Sequence, residues 1–192
     1  MSQKHIPETI TMKSAGSDPR GENSQSPRIY VLQLRQDDPR KCTAAKLVRF
    51  NLAKPLYRLR QIPRRSLTLN PFGSAVLLNR DRAQALTFGL VAIDCSWEKV
   101  QIAFSGQLPG RNVRLPTLLA SNPVNYAKPH KLSSLEALAA GLYIMGFQEK
   151  ASKLLSAFKW GPTFLSLNHD PLEAYASASN EQELLDAESQ FF

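Results

Sequence analysis

The chain has 192 residues, 43% hydrophobic and 21% charged, which suits one compact domain, or two small ones sharing a core, and excludes wholesale disorder. It contains no apolar run of about 18 residues and no apolar segment following Met1, so neither a membrane span nor a secretory signal is predicted. Lys and Arg number 24 against 16 Asp and Glu, and the net charge of +8 favours a polyanionic partner, above all nucleic acid.

The first part of the chain combines a polar leader with the start of an α/β domain. Residues 1–27 are rich in Ser, Gly, Pro and charged residues, which predicts a disordered leader. Ile29 to Leu34 is a β-branched and aliphatic run that predicts a buried strand. The segment TAAKLVRFNLA then shows helical spacing of its apolar residues, with Thr43 as the candidate N-cap.

Strands and helices continue to alternate up to about residue 121. SLTLNPFGSAVLL predicts a strand, a turn and a second strand or loop, and DRAQALTF predicts a short helix. Phe88 to Asp94 predicts another buried strand, after which a loop, LPGRNVRLP, leads to a final apolar piece, TLLAS. This alternation predicts an α/β domain over residues 28–121 with a largely parallel sheet.

From about Asn122 the pattern becomes helical. Ser133 and Glu136 have capping-box spacing, in which the Ser side chain caps a first-turn amide and the Glu side chain reaches back. The next helix, expected to end at Gly161-Pro162, has one apolar face: Ala151, Leu154, Leu155 and Phe158. A further helix is predicted in NHDPLEAYASAS. The helical part therefore spans residues 122–178, and residues 179–192 form an acidic tail.

Most catalytic and metal-binding signatures are absent from the sequence. There is no GxGxxG after a strand, no P-loop and no GxSxG elbow, which removes support for a dinucleotide fold, a P-loop NTPase and a serine hydrolase. The three histidines lack metal-ligand spacing. Cys42 and Cys95 are too few for a disulfide scaffold or a cysteine-based zinc site. We therefore expect no metal and a reducing, cytoplasmic location.

A basic run lies between Arg40 and Arg65 and contains no acidic residue. Its density of Lys and Arg predicts contact with nucleic-acid phosphates, while a solvated helix face is the alternative. The candidate RNA-binding residues are Lys41, Lys46, Arg49, Arg58, Arg60, Arg64 and Arg65.

Two loops predict a ligand site. AIDCSW ends a buried strand at Asp94 and Trp97, and the carboxyl ends of strands in open α/β sheets are where ligands bind. SNPVNYAKPHKLSSLEA is a polar connection whose prolines stiffen the backbone, so that its amides and carbonyls could read the edge of an adenine. The alternatives are that Trp97 packs in the core and that Asp94 only holds its own loop.

In combination, several segments of this chain resemble the small-subunit rRNA aminocarboxypropyltransferases of archaea and eukaryotes. They are DDPRKCTAAKL, LTLNPFG, AIDCSW, LPTLLASNPVNYAKPHKLSSLEALAAGLYIMGF and FKWGPTFLSLN, in that order. The resemblance covers roughly Ile29 to Tyr175. Ala127 stands where the family usually has Gly, and His130 where an aromatic residue is common.

The resemblance implies a function and a fold. Family members transfer the 3-amino-3-carboxypropyl group of S-adenosylmethionine to N3 of a hypermodified uridine or pseudouridine in small-subunit rRNA, which leaves 5′-methylthioadenosine. Their fold is similar to the knotted SPOUT methyltransferases, with the cofactor between the α/β part and the helical part, and the family precedent is a monomer. The implied partner is small-subunit rRNA or a pre-ribosomal particle, with no membrane. The alternatives are a SPOUT-type rRNA methyltransferase and a non-catalytic RNA-binding assembly factor.

The resemblance also implies site residues. Thr43 matches a position at the amino-acid end of S-adenosylmethionine, and Trp97 matches the indole near its sulfonium. Asp94 is a candidate for orienting substrate or assisting deprotonation. The remaining implied contacts are apolar walls or backbone contacts around the adenosine: Leu69, Pro71, Ile93, Leu115 and His130.

Overall fold

The computed structural model describes residues 26–34 and 42–192. The strands in these ranges are β1 Ile29–Gln33, β2 Lys54–Leu56, β3 Leu67–Leu69, β4 Ala75–Val76, β5 Leu90–Asp94 and β6 Arg111–Arg114. The α-helices are α1 Thr43–Arg49, α2 Arg82–Phe88, α3 Val100–Ala103, α4 Ser134–Ile144, α5 Gln148–Ser156, α6 Gly161–Leu167, α7 His169–Ser177 and α8 Glu181–Phe191. Strands and helices alternate first, and helices follow.

The strands form one sheet in the order β2-β1-β5-β3-β6-β4, and every pairing is parallel. The predicted α/β class with a parallel sheet is thus confirmed. Strand β5 lies inside the sheet and is buried from Leu90 to Ile93, as its continuous apolar run requires. Because all strands run the same way, their last residues share one edge of the sheet, the carboxyl edge, and their first residues share the opposite amino edge.

The sheet buries side chains on both faces. Because successive strand residues point to opposite faces, Leu90 and Ala92 join a large core built with the helices, while Val91 and Ile93 join a smaller one. Loop residues Ile62 and Leu108 complete the smaller core. The face with the smaller core is therefore covered by loops and the other by helices.

Helix α4 is the centre of the helical part. The capping box at Ser133 and Glu136 is confirmed: the Ser133 hydroxyl accepts from the Glu136 amide, and the Glu136 carboxylate accepts from the Ser133 amide. A Cβ atom at Gly141 would lie 3.3 Å from the side chains of Leu77 and Leu90, so glycine lets this helix approach the sheet closely. The predicted apolar face of the next helix, α5, is confirmed for Ala151, Leu154 and Leu155, while Phe158 is buried but lies two positions beyond the end of this helix.

Three local predictions were wrong. Helix α1 is capped by the Cys42 sulfur, which accepts from the Ala45 amide at 3.3 Å, while Thr43 is its first residue. The predicted loop LPGRNVRLP contains β6, whose strand structure comes from pairing with β3 and β4. Gly161-Pro162 begins α6 rather than ending α5, as expected for proline in a first helical turn.

At both ends of its described part, the structure differs from the predicted disordered leader and acidic tail. Residues 1–25, most of the predicted leader, lie outside the described residues. Lys150 Nζ donates to Ser26 Oγ at 3.0 Å and to the Pro27 carbonyl at 2.7 Å, so residues 26–27 join the folded part. The acidic C-terminal segment forms α8, which buries Leu184. Within the described ranges, no helix is long and apolar enough to cross a bilayer.

Candidate functional site at the carboxyl edge

A carboxylate links three elements at the carboxyl edge. Asp94 ends β5, and its Oδ2 accepts a hydrogen bond from the Cys42 thiol at 2.9 Å while its Oδ1 accepts from the Ser134 hydroxyl at 3.2 Å. Cys42 caps α1, and Ser134 is the first residue of α4. Asp94 therefore holds the starts of both helices against the end of β5, which shows a structural role for this candidate.

The Cys42 thiol is held in its protonated form. Burial, followed by the hydrogen bond to Asp94 and the charge of that carboxylate, raises the pKa of Cys42 from 9.0 to about 12. A thiol is nucleophilic or metal-binding only as the thiolate. Cys42 is therefore a neutral hydrogen-bond donor at this edge and no nucleophile.

This raised pKa makes alkylation of Cys42 a test of the Asp94 contact. In a C95S background at about pH 9, we expect iodoacetamide to modify Cys42 at least tenfold more slowly in the folded protein than in urea. Peptide mass spectrometry measures the alkylation rate. Because the pKa of Cys42 is higher in the folded protein than in the unfolded chain, the stability that this thiol contributes is complete below pH 9.0 and is lost as the pH rises towards 12. In D94N the rate should rise, and an unchanged rate would show that limited access alone protects the thiol.

A rigid hairpin-like loop, residues 119–133, lies beside these groups. Its arms are joined by backbone hydrogen bonds, including Ala127 N to the Ala120 carbonyl at 2.7 Å and His130 N to the Leu118 carbonyl at 3.2 Å. Ala127 and His130 have φ values of 58° and 60°. The left-handed conformation costs a side-chain-bearing residue roughly 1–2 kcal/mol and glycine almost nothing, which explains why the family resemblance places Gly at position 127.

Glu136, in the first turn of α4, holds this loop through hydrogen bonds. Its side chain is fully buried, and its two oxygens accept hydrogen bonds from Ser121, Asn122 and Ser133. The donors are Ser121 N at 2.6 Å, Ser121 Oγ at 3.0 Å, Asn122 N at 2.9 Å, Asn122 Nδ2 at 2.8 Å and Ser133 N at 2.7 Å. The capping-box spacing predicted only the Ser133 contact, since the other partners lie 14 and 15 positions away.

Trp97 lies between the end of β5 and the loop of residues 119–133. It begins a short 3-10 turn, Trp97–Lys99, and its Nε1 donates to the Leu132 carbonyl at 3.1 Å. The Lys131 ammonium lies 5.9 Å from the centre of the indole ring. Trp97 is half-buried and belongs to neither hydrophobic core. The indole is thus fixed against the loop, with part of its surface exposed.

Helix α8 contacts the segment that follows β6 through Glu188. Glu188 Oε1 accepts from Thr117 N at 2.6 Å and from Thr117 Oγ1 at 2.5 Å, and its Oε2 lies 3.7 Å from Arg114. Tyr175 donates its hydroxyl to the Thr117 carbonyl at 3.0 Å. Thr117 lies two positions after Leu115, so α7 and α8 fix the segment that follows β6. Nothing in the sequence pattern of the acidic segment pointed to this contact.

The structure places the predicted cofactor residues along this edge. Thr43 begins α1, Leu69 and Ile93 are within the last two residues of β3 and β5, and Leu115 follows β6 directly. The other three, Pro71, Trp97 and His130, lie in the segments that follow β3 and β5 and in the loop of residues 119–133. The side chain of Leu69 is buried in the large core and that of Ile93 in the smaller one.

The predicted RNA-binding residues that the structure describes lie on different elements of the fold. Lys46 and Arg49 lie on α1 beside the Phe50 ring, at 6.0 and 5.2 Å from its centre. Arg58 is the N-cap of the 3-10 turn Leu59–Gln61 that follows the carboxyl end of β2, and Arg60 lies within that turn. Arg64 and Arg65 precede β3 at the amino edge, and Lys41 lies outside the described residues. The basic run is thus divided among separate surfaces.

A parallel α/β sheet with a rigid polar loop at its carboxyl edge defines a ligand-binding α/β domain. Residues 67–192 match the family model described as "Ribosome biogenesis protein, C-terminal". A protein of Methanosarcina acetivorans named 16S rRNA aminocarboxypropyltransferase is 40% identical over 172 residues, covering 88% of this chain and 97% of that protein. One of the same name from Methanopyrus kandleri is 45% identical, with 85% and 97% covered. The chain belongs to this aminocarboxypropyltransferase family, which confirms the resemblance.

A solved structure supports the same family. It is described as the structure of the SAM-dependent rRNA:acp-transferase Tsr3 from Vulcanisaeta distributa. Its TM-score is 0.76 at 42% identity, and the alignment covers 86% of this chain and 95% of that chain. The similarity therefore extends to the fold as well as the sequence.

A second family model matches residues 27–60 and is described as a "Possible Fer4-like domain in RNase L inhibitor, RLI". An iron–sulfur cluster of the 4Fe–4S type is held by several Cys thiolates. This segment contains one cysteine, Cys42, whose raised pKa keeps it protonated. No group of three or more metal-ligating side chains occurs among the described residues. The residues present do not fit an iron–sulfur cluster.

Proposed function

We propose that this chain transfers the 3-amino-3-carboxypropyl group of S-adenosylmethionine to N3 of a uridine or pseudouridine in small-subunit rRNA. The observation that carries the proposal is the identity of 40–45%, over at least 85% of the chain, to relatives named for this activity. In the reaction the uridine N3 forms a bond to the γ-carbon of the amino-acid chain. The bond from that carbon to sulfur breaks, its electron pair stays on sulfur as 5′-methylthioadenosine forms, and the N3 proton passes to water.

The carboxyl edge suits S-adenosylmethionine. When bound, this molecule supplies a carbon activated by the neighbouring sulfonium. Trp97 offers a fixed indole for a cationic group, an interaction of about 0.5–2 kcal/mol, and Asp94 is a nearby negative charge at the same edge. The pocket residues we propose are Thr43, Leu69, Pro71, Ile93, Trp97, Leu115 and His130.

The chain's own residues act by orientation in this proposal. Asp94, through Cys42 and Ser134, holds the starts of α1 and α4 at the edge, and Glu136 holds the loop that carries His130. A rigid site can align a nucleophile and an electrophile, and alignment alone contributes about 7–11 kcal/mol in favourable cases. We therefore assign Asp94 as a positioning residue.

The proposed substrate surface is basic and close to the same edge. Arg58 and Arg60 follow the carboxyl end of β2, and Tyr57 beside them is 49% exposed. Arginine side chains bind phosphates through paired hydrogen bonds. The proposal extends to Lys41, Lys46 and Arg49 in the preceding part of the basic run.

The by-product distinguishes aminocarboxypropyl transfer from methyl transfer. With small-subunit rRNA or pre-ribosomal particles and S-adenosylmethionine labelled in the carboxyl carbon, we expect label in the RNA and 5′-methylthioadenosine in solution. Methyl-labelled donor should leave its label in the small-molecule product. Scintillation counting of the RNA and chromatography of the nucleosides provide the measurement.

Two other outcomes would contradict the proposal. RNA labelled only from the methyl donor, with release of S-adenosylhomocysteine, would establish a methyltransferase. No binding of S-adenosylmethionine in calorimetry would establish a non-catalytic RNA-binding factor.

Three further features belong to the same proposal. We propose that the chain follows the knotted SPOUT path, and the parallel sheet followed by helices is consistent with this arrangement. We also propose a monomer, on the precedent implied by the resemblance, and a cytoplasmic location, because a chain with only two cysteines lacks the disulfide scaffold common in small secreted domains.

A further inference from the structure

A cleft of about 560 Å³ opens at the amino edge of the sheet, on the side away from the proposed cofactor pocket. Arg64 and Arg65, just before β3, line one side of it, and Arg111, the first residue of β6, lines another. Helix α2 supplies the remaining wall, including Gln84 and Phe88. The cleft is thus lined by three guanidinium groups.

The cleft is held in shape by contacts among its own residues. The Arg65 guanidinium lies 4.3 Å from the centre of the Phe88 ring, and Gln84 Nε2 donates to the Arg65 carbonyl at 2.8 Å. Arg111 Nη1 is paired with Asp81 and lies 3.4 Å from Gln84 Oε1. Side chains ordered in advance lose less entropy when they bind a ligand.

The charge of the cleft is positive. In the described part of the chain no acidic residue lines the cleft, and Asp81, which pairs with Arg111, is only 4% exposed. Arg64 and Arg65 are exposed and have no acidic partner among residues 26–34 and 42–192. Planar guanidinium groups match the geometry of phosphate oxygens better than ammonium groups do. An anion with several phosphates is therefore the ligand that this chemistry fits.

The cleft cannot serve the nucleotide being modified. Strand β3 separates it from the carboxyl edge: Ser66 lies at the amino end and Asn70 at the carboxyl end. Four residues of extended chain span on the order of 13 Å. A polymer that occupies both edges must therefore extend well beyond its target base.

We propose that this cleft binds phosphates of the rRNA backbone at a distance from the target uridine, so that the substrate is held at both edges of the sheet. The inference rests on the proposed function, because it takes rRNA as the substrate. It predicts that the enzyme distinguishes a folded rRNA segment from a short oligonucleotide by contacts remote from the reaction.

The test compares R64E/R65E with the matched charge reversal K153E/K159E, whose lysines are exposed on the helical half of the molecule. For a structured small-subunit rRNA fragment at about 0.1 M salt, we expect R64E/R65E to lose at least tenfold in affinity. The slope of log K against log salt should become shallower by about 1.4–1.8, because two phosphate contacts are lost. Fluorescence anisotropy measures both quantities.

Further measurements separate a lost contact from a lost fold. Calorimetry should show unchanged affinity of R64E/R65E for S-adenosylmethionine, and single-turnover transfer at saturating RNA should keep the wild-type rate. R64Q/R65Q, which keeps the side-chain stems, should show a smaller loss of RNA affinity in the same direction.

Three results would overturn the inference. They are an unchanged salt slope in R64E/R65E, an equal loss of affinity in K153E/K159E, and loss of RNA affinity only together with loss of S-adenosylmethionine binding. RNA binding that depends on Arg64 and Arg65 without any group transfer would refute the proposed function and leave the cleft as an RNA site. No RNA binding by the wild-type protein would refute both.

Discussion

Replacing Glu136 by glutamine is expected to lower the free energy of unfolding by about 2–4 kcal/mol and to weaken S-adenosylmethionine binding at least tenfold. The carboxylate accepts from five donors in a fully buried position. In E136Q one oxygen becomes an amino group, which then faces donors at Asn122 and Ser133. Asn122 cannot simply reverse its amide, because its Oδ1 already accepts from Asn125 N at 3.0 Å.

Urea unfolding and calorimetry measure the two effects of E136Q. E149Q is the matched control, because Glu149 is exposed on α5 and has no such set of donors. We expect E149Q to change neither quantity appreciably. Wild-type stability and affinity in E136Q would show that the loop does not depend on this carboxylate.

Replacing Trp97 by alanine is expected to weaken S-adenosylmethionine binding by roughly 1–3 kcal/mol, or about 5- to 150-fold. The substitution removes the indole surface proposed to pack near the sulfonium and the hydrogen bond to the Leu132 carbonyl. Because Trp97 lies outside both hydrophobic cores, the fold should persist. Calorimetry with circular dichroism as a fold check provides the measurement.

Two further variants sharpen this test. W97F keeps an aromatic ring but loses the N–H donor, so its affinity should fall between those of the wild type and W97A. W160A removes the other tryptophan, which packs 5.6 Å from Phe158 within the helical part, and should reduce stability without changing S-adenosylmethionine affinity. If W97A unfolds, Trp97 is a structural residue and the pocket assignment loses its main support.

Local patterns were sufficient where an element depends on its own residues. The apolar run ending at Asp94 predicted a strand because a strand that is buried on both faces needs apolar residues at successive positions. Ser133 with Glu136 predicted a helix start because both of their contacts fall within one turn. The same reasoning missed β6, in which only Val113 is buried. Its strand structure depends on hydrogen bonds to β3 and β4, which come from distant positions.

The site shows the same division between local and distant signals. The motifs around Trp97 and His130 carried the family resemblance, and the absence of acids near Arg64 and Arg65 indicated a polyanionic partner. The thiol contact from Cys42 to Asp94 crosses 52 positions, and the contact from Glu188 to Thr117 crosses 71. No periodicity relates residues so far apart.

The sequence by itself determined the α/β class, the helical second half, the positive charge and the family, because each is encoded in composition, short-range spacing or specific motifs. The tertiary structure decided the strand order, the buried carboxylate of Glu136 beneath the loop and the separation of the basic run into distinct surfaces. Arg111 joins Arg64 and Arg65 at one cleft only because β3 and β6 are neighbours in the sheet. Parallel strands pair through crossovers of many residues, so their neighbours are set by packing of the whole core and not by any local stretch of chain.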